Sequence, residues 1–378
     1  MCVFTSQAAV LVLSPILVEI AQDLHVSTAV AGQLRIFAAP VAALVAVLLA
    51  RFAAAVPLRG ILLASTLLVA AGSLASAAAP SFLALALGQL PLWIGVAGLV
   101  AGGVGAAGVW STAEARGRVV ARALAGAPAA WVAGMPLIGL VAGASWRLAF
   151  LAVPLPAAIV TAGLVLASRP SETRRGSASL GALLNEPGAR SWAFGELLAM
   201  SAWAGTLVFS GALFIETYGT SPKVTGLLLA TVAVAYLGGN VLGGRVRGDC
   251  YLRRALGRSN AFAAAAIAAT WILTPNVFVT LSLFAAAGVV VAARTVIGTT
   301  YGFRLAGERK LEVGAARAAI THMGYLAGSL LGGATFALGG RAAAGVAFGL
   351  LFLIAATPYV AMWAARCRTA GRVPAVVA

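Results

Sequence analysis

The stretch WVAGMPLIGLVAGASWRLAF, Trp131 to Phe150, decides the fold of this chain. It is uncharged up to Arg147, it carries closely spaced glycines and alanines, and Pro136 interrupts it. Runs of about 20 apolar residues have the length that an α-helix needs to cross the ~30 Å hydrocarbon core of a bilayer. Proline is tolerated there because neighbouring helices can cover the carbonyl that it frees. The stretch therefore predicts a closely packed membrane helix and the turn that follows it.

Composition extends this prediction to the whole chain. The 378 residues are 61% hydrophobic and 10% charged, with a mean hydropathy of +1.00, whereas soluble domains carry about 25% charged residues. Strand-type alternation is absent, so we predict an all-α polytopic membrane protein and exclude an outer-membrane barrel. Twelve transmembrane helices are expected at about 3–22, 28–50, 60–79, 82–106, 119–142, 147–168, 192–216, 223–244, 257–274, 277–301, 315–338 and 342–364.

The start of the chain bears on the first of these spans. It has no basic region before the apolar run and no small-residue cleavage site after it. We therefore expect a retained span rather than a signal peptide; a start codon chosen too late is an alternative explanation for the missing leader.

The positive charges predict orientation. A net charge of +16 would suggest nucleic acid for a soluble protein, but here most basic residues fall on alternate connections and on the C-terminal tail. Four are expected outside, Arg35, Arg147, Lys223 and Arg341, and Arg294 lies within a span. The positive-inside rule then predicts cytoplasmic N and C termini in a cell membrane.

An internal repeat predicts the domain organisation. At one constant ungapped offset, the chain matches itself in the following pairs: Ser27 with Ser221, Gly32 with Gly226, Arg51 with Arg245, Arg59 with Arg253, Gly134 with Gly328, Gly139 with Gly333 and Arg147 with Arg341. Two parallel six-helix halves explain this pattern. We predict an N-terminal half at 1–168, a cytoplasmic linker at 169–190, a C-terminal half at 191–366 and a tail at 367–378.

Several motifs, in order, resemble one transporter family. They are LVEIAQDLHVSTAVAGQL (Leu17 to Leu34), GMPLIG (Gly134 to Gly139), SWRLAF (Ser145 to Phe150) and NVLGGR (Asn240 to Arg245). The chain is similar in these motifs to the major facilitator superfamily, in particular to its twelve-span drug:proton antiporter branch. The resemblance implies a two-half fold with a substrate cavity between the halves, lined by spans one, four, seven and ten.

Glycines of the fifth and eleventh spans are the first candidate positions. Gly126, Gly134, Pro136 and Gly139, with Gly328 and Gly333 in the second half, permit close helix approach. Simple packing explains them. The resemblance offers a second interpretation, in which GMPLIG is the antiporter motif that seals the cavity toward one side.

The loop after the second span departs from the family pattern. In ARFAAAVPLRGIL, Ala50 to Leu62, Ala54 replaces an expected aspartate and Arg59 is retained. The second copy keeps Gly244, Arg245 and Arg253, and its acid, Asp249, is one place late. These residues form a conformational latch in the resembled family; simple topology charges are the alternative.

Buried polar residues are the candidates for substrate binding and coupling. Gln89 stands where family antiporters often carry an arginine, and it either lines the cavity or makes an interhelical hydrogen bond. Ionisable groups at depth are costly in lipid. Arg294 is a cavity candidate, and Glu196 either takes a proton or reaches the nearby interface. His322 either titrates near neutral pH or is a structural hydrogen-bonded residue.

Aromatic residues fall into two groups. Trp93, Trp110, Trp131, Trp203 and Tyr236 are placed to stack on a substrate, with Trp93 and Trp203 on presumed cavity helices. The residues near span ends are expected in the interfacial belt: Trp146, Trp192, Trp271 and Trp363.

Other chemistry is not indicated. Cys2, Cys250 and Cys367 are far apart in sequence, so we expect free thiols and no metal site. We expect no cofactor, because no nucleotide-binding loop or catalytic motif occurs.

The predicted function is secondary active export of a small, largely apolar molecule by a monomer, with protons as the coupling ion. A uniporter or importer of a sugar, nucleobase or amino acid, and a scaffold or sensor that transports nothing, are the alternatives.

Overall fold

The computed structural model describes residues 1–51, 57–109, 123, 125–168, 180–246, 249–306 and 310–367. In these residues the chain is helical and has no strand. Trp110, predicted to stack on a substrate, and Ala54, which replaces the expected loop aspartate, lie outside the described residues.

Six helices make up the first half of the chain. They are α1 (Cys2–Asp23), α2 (Thr28–Ala31, continued through Gly32–Leu34 into Arg35–Arg51), α3 (Leu58–Ala77), α4 (Phe82–Val109), α5 (Gly126–Ala142) and α6 (Trp146–Ala167). Proline marks the irregular points. Pro15 lies in a 3-10 turn within α1, and a break at Val153 precedes Pro154 in α6.

The second half repeats the plan after a short helix, Leu180–Leu184. Its helices are α7 (Ala189–Tyr218), α8 (Pro222–Gly243), α9 (Asp249–Ile272), α10 (Val277–Ala306), α11 (310–338) and α12 (341–367). The last two run together, but Gly339 and Gly340 have non-helical backbone angles, and Gly340 has φ +62°. A left-handed φ favours glycine, so the chain turns here between two antiparallel helices.

Length and apolarity agree with membrane insertion. Among the described residues, nine helical stretches can cross a membrane, and one of these, Glu312–Ala364, contains both α11 and α12. Helix α5 is shorter but apolar. Helix α9 begins well before the predicted residue 257, because a segment carrying two arginines, Arg253 and Arg254, extends the apolar part as helix.

The repeat is visible in how equivalent helices begin. Ser27 caps α2 by accepting a hydrogen bond from the Val30 amide at 3.2 Å, and Ser221 caps α8 through the Val224 amide at 3.4 Å. A serine at this position satisfies a free amide of the first helical turn. The matched residues thus have the same local role in both halves.

Three expectations about exterior residues are wrong. Arg35 is not outside: it lies within α2 and is 2% exposed. Trp192 and Trp271 do not form an interfacial belt, because both are fully buried between helices. Hydropathy alone places a residue along the membrane normal, whereas burial depends on which face of the helix meets protein. The prediction of free thiols holds for Cys2 and is wrong for Cys250, which is disulfide-bonded. Separation along the sequence does not determine separation in the fold.

Candidate functional site

In the described residues, the two halves contact each other closely at the end of the bundle where α1 joins α2, α5 joins α6 and α7 joins α8, here called the hairpin end. The opposite end, where α6 leads toward α7, is called the linker end. At the hairpin end, a side chain added at Gly139 of α5 would meet the Pro222 carbonyl and the Cα of Gly226 in α8. Only glycine permits this approach, so GMPLIG joins the two halves through α5 and α8.

Helix α1 contacts α7 at the same end. The Ser14 hydroxyl donates to the Leu207 carbonyl at 2.6 Å and lies 2.9 Å from the Ser210 hydroxyl. Nearer the end, the Thr28 hydroxyl donates to Glu216 Oε1 at 2.6 Å. These contacts connect the halves by polar as well as small residues.

The other glycine positions are also packing points. Gly126 lies against the Phe4 backbone of α1, and Gly134 faces Val153 at the break in α6. In α11, Gly328 lies against Ser201 and Gly205 of α7, and Gly333 lies against Ala29 and Gln33 of α2. Gly139 and Gly333 thus lie between the halves, whereas Gly126, Gly134 and Gly328 lie within one half. Pro136 lies inside α5 without ending it.

Glu196 of α7 lies at the centre of a buried charged group, here called the carboxylate cluster: Glu196, Asn260, Arg294, Arg317 and Tyr359. Arg294 of α10 donates to both carboxylate oxygens, and Arg317 of α11 donates to Oε2. Tyr359 of α12 donates to Oε1 at 3.0 Å. Glu196 is fully buried and Arg294 is 2% exposed, whereas the Arg317 side chain is 18% exposed.

Small residues make room for this cluster. A Cβ at Gly298 of α10 would collide with the Glu196 carboxylate, and one at Gly195 would collide with the Tyr359 ring. The Trp192 indole donates to the Gly298 carbonyl at 2.8 Å, and Arg294 Nε donates to Asn260 Oδ1 at 3.2 Å. Four helices, α7, α10, α11 and α12, therefore meet at the Glu196 carboxylate, and α9 joins them through the bond from Arg294 to Asn260.

A second buried group lies between the halves and is here called the interface cluster: Arg35, Trp93, His322 and Tyr325. The guanidinium carbon of Arg35 lies 4.5 Å from the Tyr325 ring centroid and 5.4 Å from that of Trp93. Trp93 makes edge contacts with His322 at 5.7 Å and with Tyr325 at 5.4 Å. Arg35 and Trp93 belong to the first half, and His322 and Tyr325 belong to α11.

Gln89 lies on the same helix as Trp93 but bonds within its own half. It is fully buried and donates to the Ser76 hydroxyl of α3 at 2.8 Å. Its Oε1 has no partner among the described residues.

Trp203 belongs to an aromatic group that also crosses between the halves. It stacks on Trp131 of α5 at 6.5 Å and on Tyr236 of α8 at 5.8 Å, both with an interplanar angle of 19°. Trp131 donates to Gln7 Oε1 of α1 at 3.3 Å. The predicted aromatic residues thus face one another across the interface.

The loop-motif residues take separate positions. Arg59 donates to the Leu166 carbonyl of α6 at 2.6 Å. Arg253 is buried and donates to the Tyr301 hydroxyl of α10 at 3.0 Å. Gly244 is the C-cap of α8, Arg245 follows it, and Asp249 begins α9.

Sequence reasoning missed five site residues: Arg35, Asn260, Arg317, Tyr325 and Tyr359. Arg35 could have been found as the one charge inside the second apolar run, seven residues after its start. Arg317 lies two residues inside the predicted span at 315–338, where a basic residue is typical of the cytoplasmic end of a span. Nothing in the sequence indicated Tyr359.

Comparison with known proteins agrees with this architecture. Residues 1–215 match the model of the Major Facilitator Superfamily, and no curated protein matches the chain. Two solved structures illustrate the fold similarity. A bacterial homolog of the human lysosomal transporter Spinster, in an inward-facing and unoccupied conformation, superposes with a TM-score of 0.79 at 15% identity, covering 96% of this chain and 95% of that one.

The xylose transporter XylE from E. coli, in a partially occluded inward-open conformation, gives a TM-score of 0.71 at 14% identity, covering 96% and 95%. At these identities the likeness concerns the fold. The family match covers more than half of the chain. The chain therefore belongs to the Major Facilitator Superfamily and is a multi-pass membrane transporter rather than an enzyme.

Proposed function

We propose that this protein is a secondary active exporter of a small organic molecule, working by rocker-switch alternating access and coupled to protons in antiport. The observation that carries the proposal is the position of the contacts between the halves. Backbone-close packing of Gly139 on Gly226 and the Ser14–Ser210 hydrogen bond hold the halves together at the hairpin end. With the linker end in the cytoplasm, as the basic residues indicate, contacts at the hairpin end would close the outer side, and a central site would be reached from the cytoplasm, where an exporter takes up its substrate.

The carboxylate cluster supports proton coupling. Glu196 is the buried acid of this group, and it forms ion pairs with two arginines. Protonation of Glu196 would release both guanidinium groups and loosen α10 and α11 from α7. We propose that this release couples proton uptake to the conformational change, with His322 as the second candidate because both ring nitrogens lack a partner in the described residues.

The test is transport in proteoliposomes with an imposed pH gradient, after a thermal-shift screen of drugs, sugars, nucleobases and amino acids has identified a ligand. Glu196→Gln is expected to abolish accumulation driven by the gradient while retaining counterflow of the same compound. Asp23→Asn is the matched control, because it removes an exposed carboxylate whose ion pair to Arg147 lies within the first half, and it should leave accumulation unchanged. Gradient-driven transport that survives Glu196→Gln would show that Glu196 is not the coupling acid.

One observation favours a uniporter or importer instead. Gln89 stands at the position where the resembled antiporters carry a cation. Its amide donates a hydrogen bond to Ser76 within the first half, and it brings no charge to the cavity. A uniporter would show counterflow of equal rate in wild type with and without the pH gradient. A scaffold or sensor would show neither accumulation nor counterflow.

A further inference from the structure

We propose that Arg35 binds the carboxylate of a small organic monoanion with an apolar body, held between Trp93 and Tyr325 at the interface of the two halves. The inference rests on the proposed transport function, since it names the substrate class for the central site.

Arg35 is buried without a counter-ion. It is 2% exposed, and among the described residues it forms no ion pair. One nitrogen, Nη2, donates to the Val10 carbonyl at 2.5 Å. Nε and Nη1 have no partner in the described part of the chain. Removing a guanidinium from water is costly unless an anion and hydrogen bonds compensate it, so the site has unused capacity for an anion.

The neighbouring rings do not supply the missing charge. The Tyr325 and Trp93 centroids lie 4.5 and 5.4 Å from the guanidinium carbon, within the range of cation–π attraction. These contacts orient the guanidinium plane and form apolar walls beside it. Nε and Nη1 each lie beside Nη2, so either of them can join the second hydrogen of Nη2 in the two-pronged geometry that matches a carboxylate.

One cation in apolar surroundings favours a monoanion over a phosphate dianion. A second negative charge at this site would stay uncompensated, because the described neighbours that face Arg35 are the uncharged rings of Trp93 and Tyr325. His322 lies against Trp93, and its ring nitrogens Nδ1 and Nε2 also lack partners among the described residues. It can bond one more polar atom of the same ligand without adding a second fixed charge.

The position of the cluster makes it suitable for alternating access. Arg35 and Trp93 move with the first half, and His322 and Tyr325 move with α11. A rigid-body rotation of one half against the other therefore separates the arginine from part of its aromatic surround. The ligand carboxylate would then be released or captured as the halves move.

The experiment uses full-length protein purified in detergent and isothermal titration with four probes that share a phenylalkyl body: 4-phenylbutyrate, its neutral amide, 4-phenylbutylamine and 3-phenylpropyl phosphate. Wild type is expected to bind the carboxylate at least about tenfold more tightly than the amide, the amine and the phosphate. Arg35→Gln should reduce carboxylate binding to the level of the amide and leave amide binding unchanged. Arg341→Gln, which removes an exposed arginine of α12, is the matched control and should change neither.

Equal binding of carboxylate and amide in wild type, tightest binding of the phosphate, no carboxylate binding, or an unchanged preference in Arg35→Gln would each overturn the proposal. If Arg35→Gln does not fold, Arg35→Lys tests it. The point charge without the fork should give intermediate carboxylate affinity, and wild-type affinity in that variant would overturn it.

Flux in proteoliposomes separates this inference from the proposed function. Carboxylate binding that depends on Arg35 without flux of any compound would refute transport and leave the site in place. Flux of neutral or cationic compounds without carboxylate binding would refute the site and leave transport in place.

Discussion

Glu196→Gln is expected to destabilise the protein more than the loss of either of its arginine partners. Glutamine keeps the size of the side chain but removes the negative charge. It leaves the guanidinium groups of Arg294 and Arg317 facing each other without a counter-ion. Arg294→Gln or Arg317→Gln, by contrast, leaves one ion pair to Glu196 intact.

The burial of these residues sets the expected magnitudes. Breaking a buried ion pair by removing one partner costs about 3–5 kcal/mol, and Glu196 is fully buried. Each arginine substitution removes charged hydrogen bonds worth about 1.5–3 kcal/mol. Arg317→Gln should be the milder of the two, because its side chain is 18% exposed and Arg294 is nearly inaccessible.

Reversible unfolding in mixed detergent micelles measures these free energies. The pair formed by Asp23 and Arg147 provides the matched control, because its side chains are 45% and 34% exposed and exposed pairs contribute about 0–1 kcal/mol. Asp23→Asn should therefore cost less than any variant of the carboxylate cluster. The reasoning is refuted if Glu196→Gln costs no more than Asp23→Asn, or if one arginine variant equals it.

Three glycines lead to further predictions. Gly139→Val should reduce counterflow several-fold, because its branched side chain would strike the Pro222 carbonyl and separate α5 from α8; wild-type counterflow would contradict the proposed role of this contact. Gly298→Ala should lower the free energy of unfolding by about 1–3 kcal/mol, since its methyl group would displace the Glu196 carboxylate, and an unchanged value would show that the cluster can rearrange. Gly163→Ala, with nothing within 4 Å of the added carbon, should leave stability unchanged or raise it by up to about 1 kcal/mol, and a loss would indicate an unrecognised contact.

The fold could be predicted because most of the helices are apolar over the thickness of a bilayer. The predicted span at 277–301 begins at the residue where α10 begins, since the boundary there is set by Pro275 and Asn276. Helix α9 was harder to delimit, because Arg253 and Arg254 lower the hydropathy of a segment that is nevertheless helical. Hydropathy detects the apolar part of a helix and misses its polar extension.

The candidate site was less predictable, because helix rotation decides it. The sequence singles out Glu196 and Arg294 separately, and the structure pairs them. Arg317 completes the same ion pairs from a third helix, and no pattern within α11 indicates which way it faces. Arg35 was placed outside by the charge pattern, although its position in α2 is buried.

The internal repeat has a consequence for stoichiometry. A two-fold relation between the halves would create two equivalent anion sites if Arg35 were duplicated, and a bound molecule could then lie in either of two directions. The residue at the matching position of the second half is Leu229, which has no charge. Any anion held by Arg35 would therefore bind once per chain and in a single direction, with its charged end toward α2.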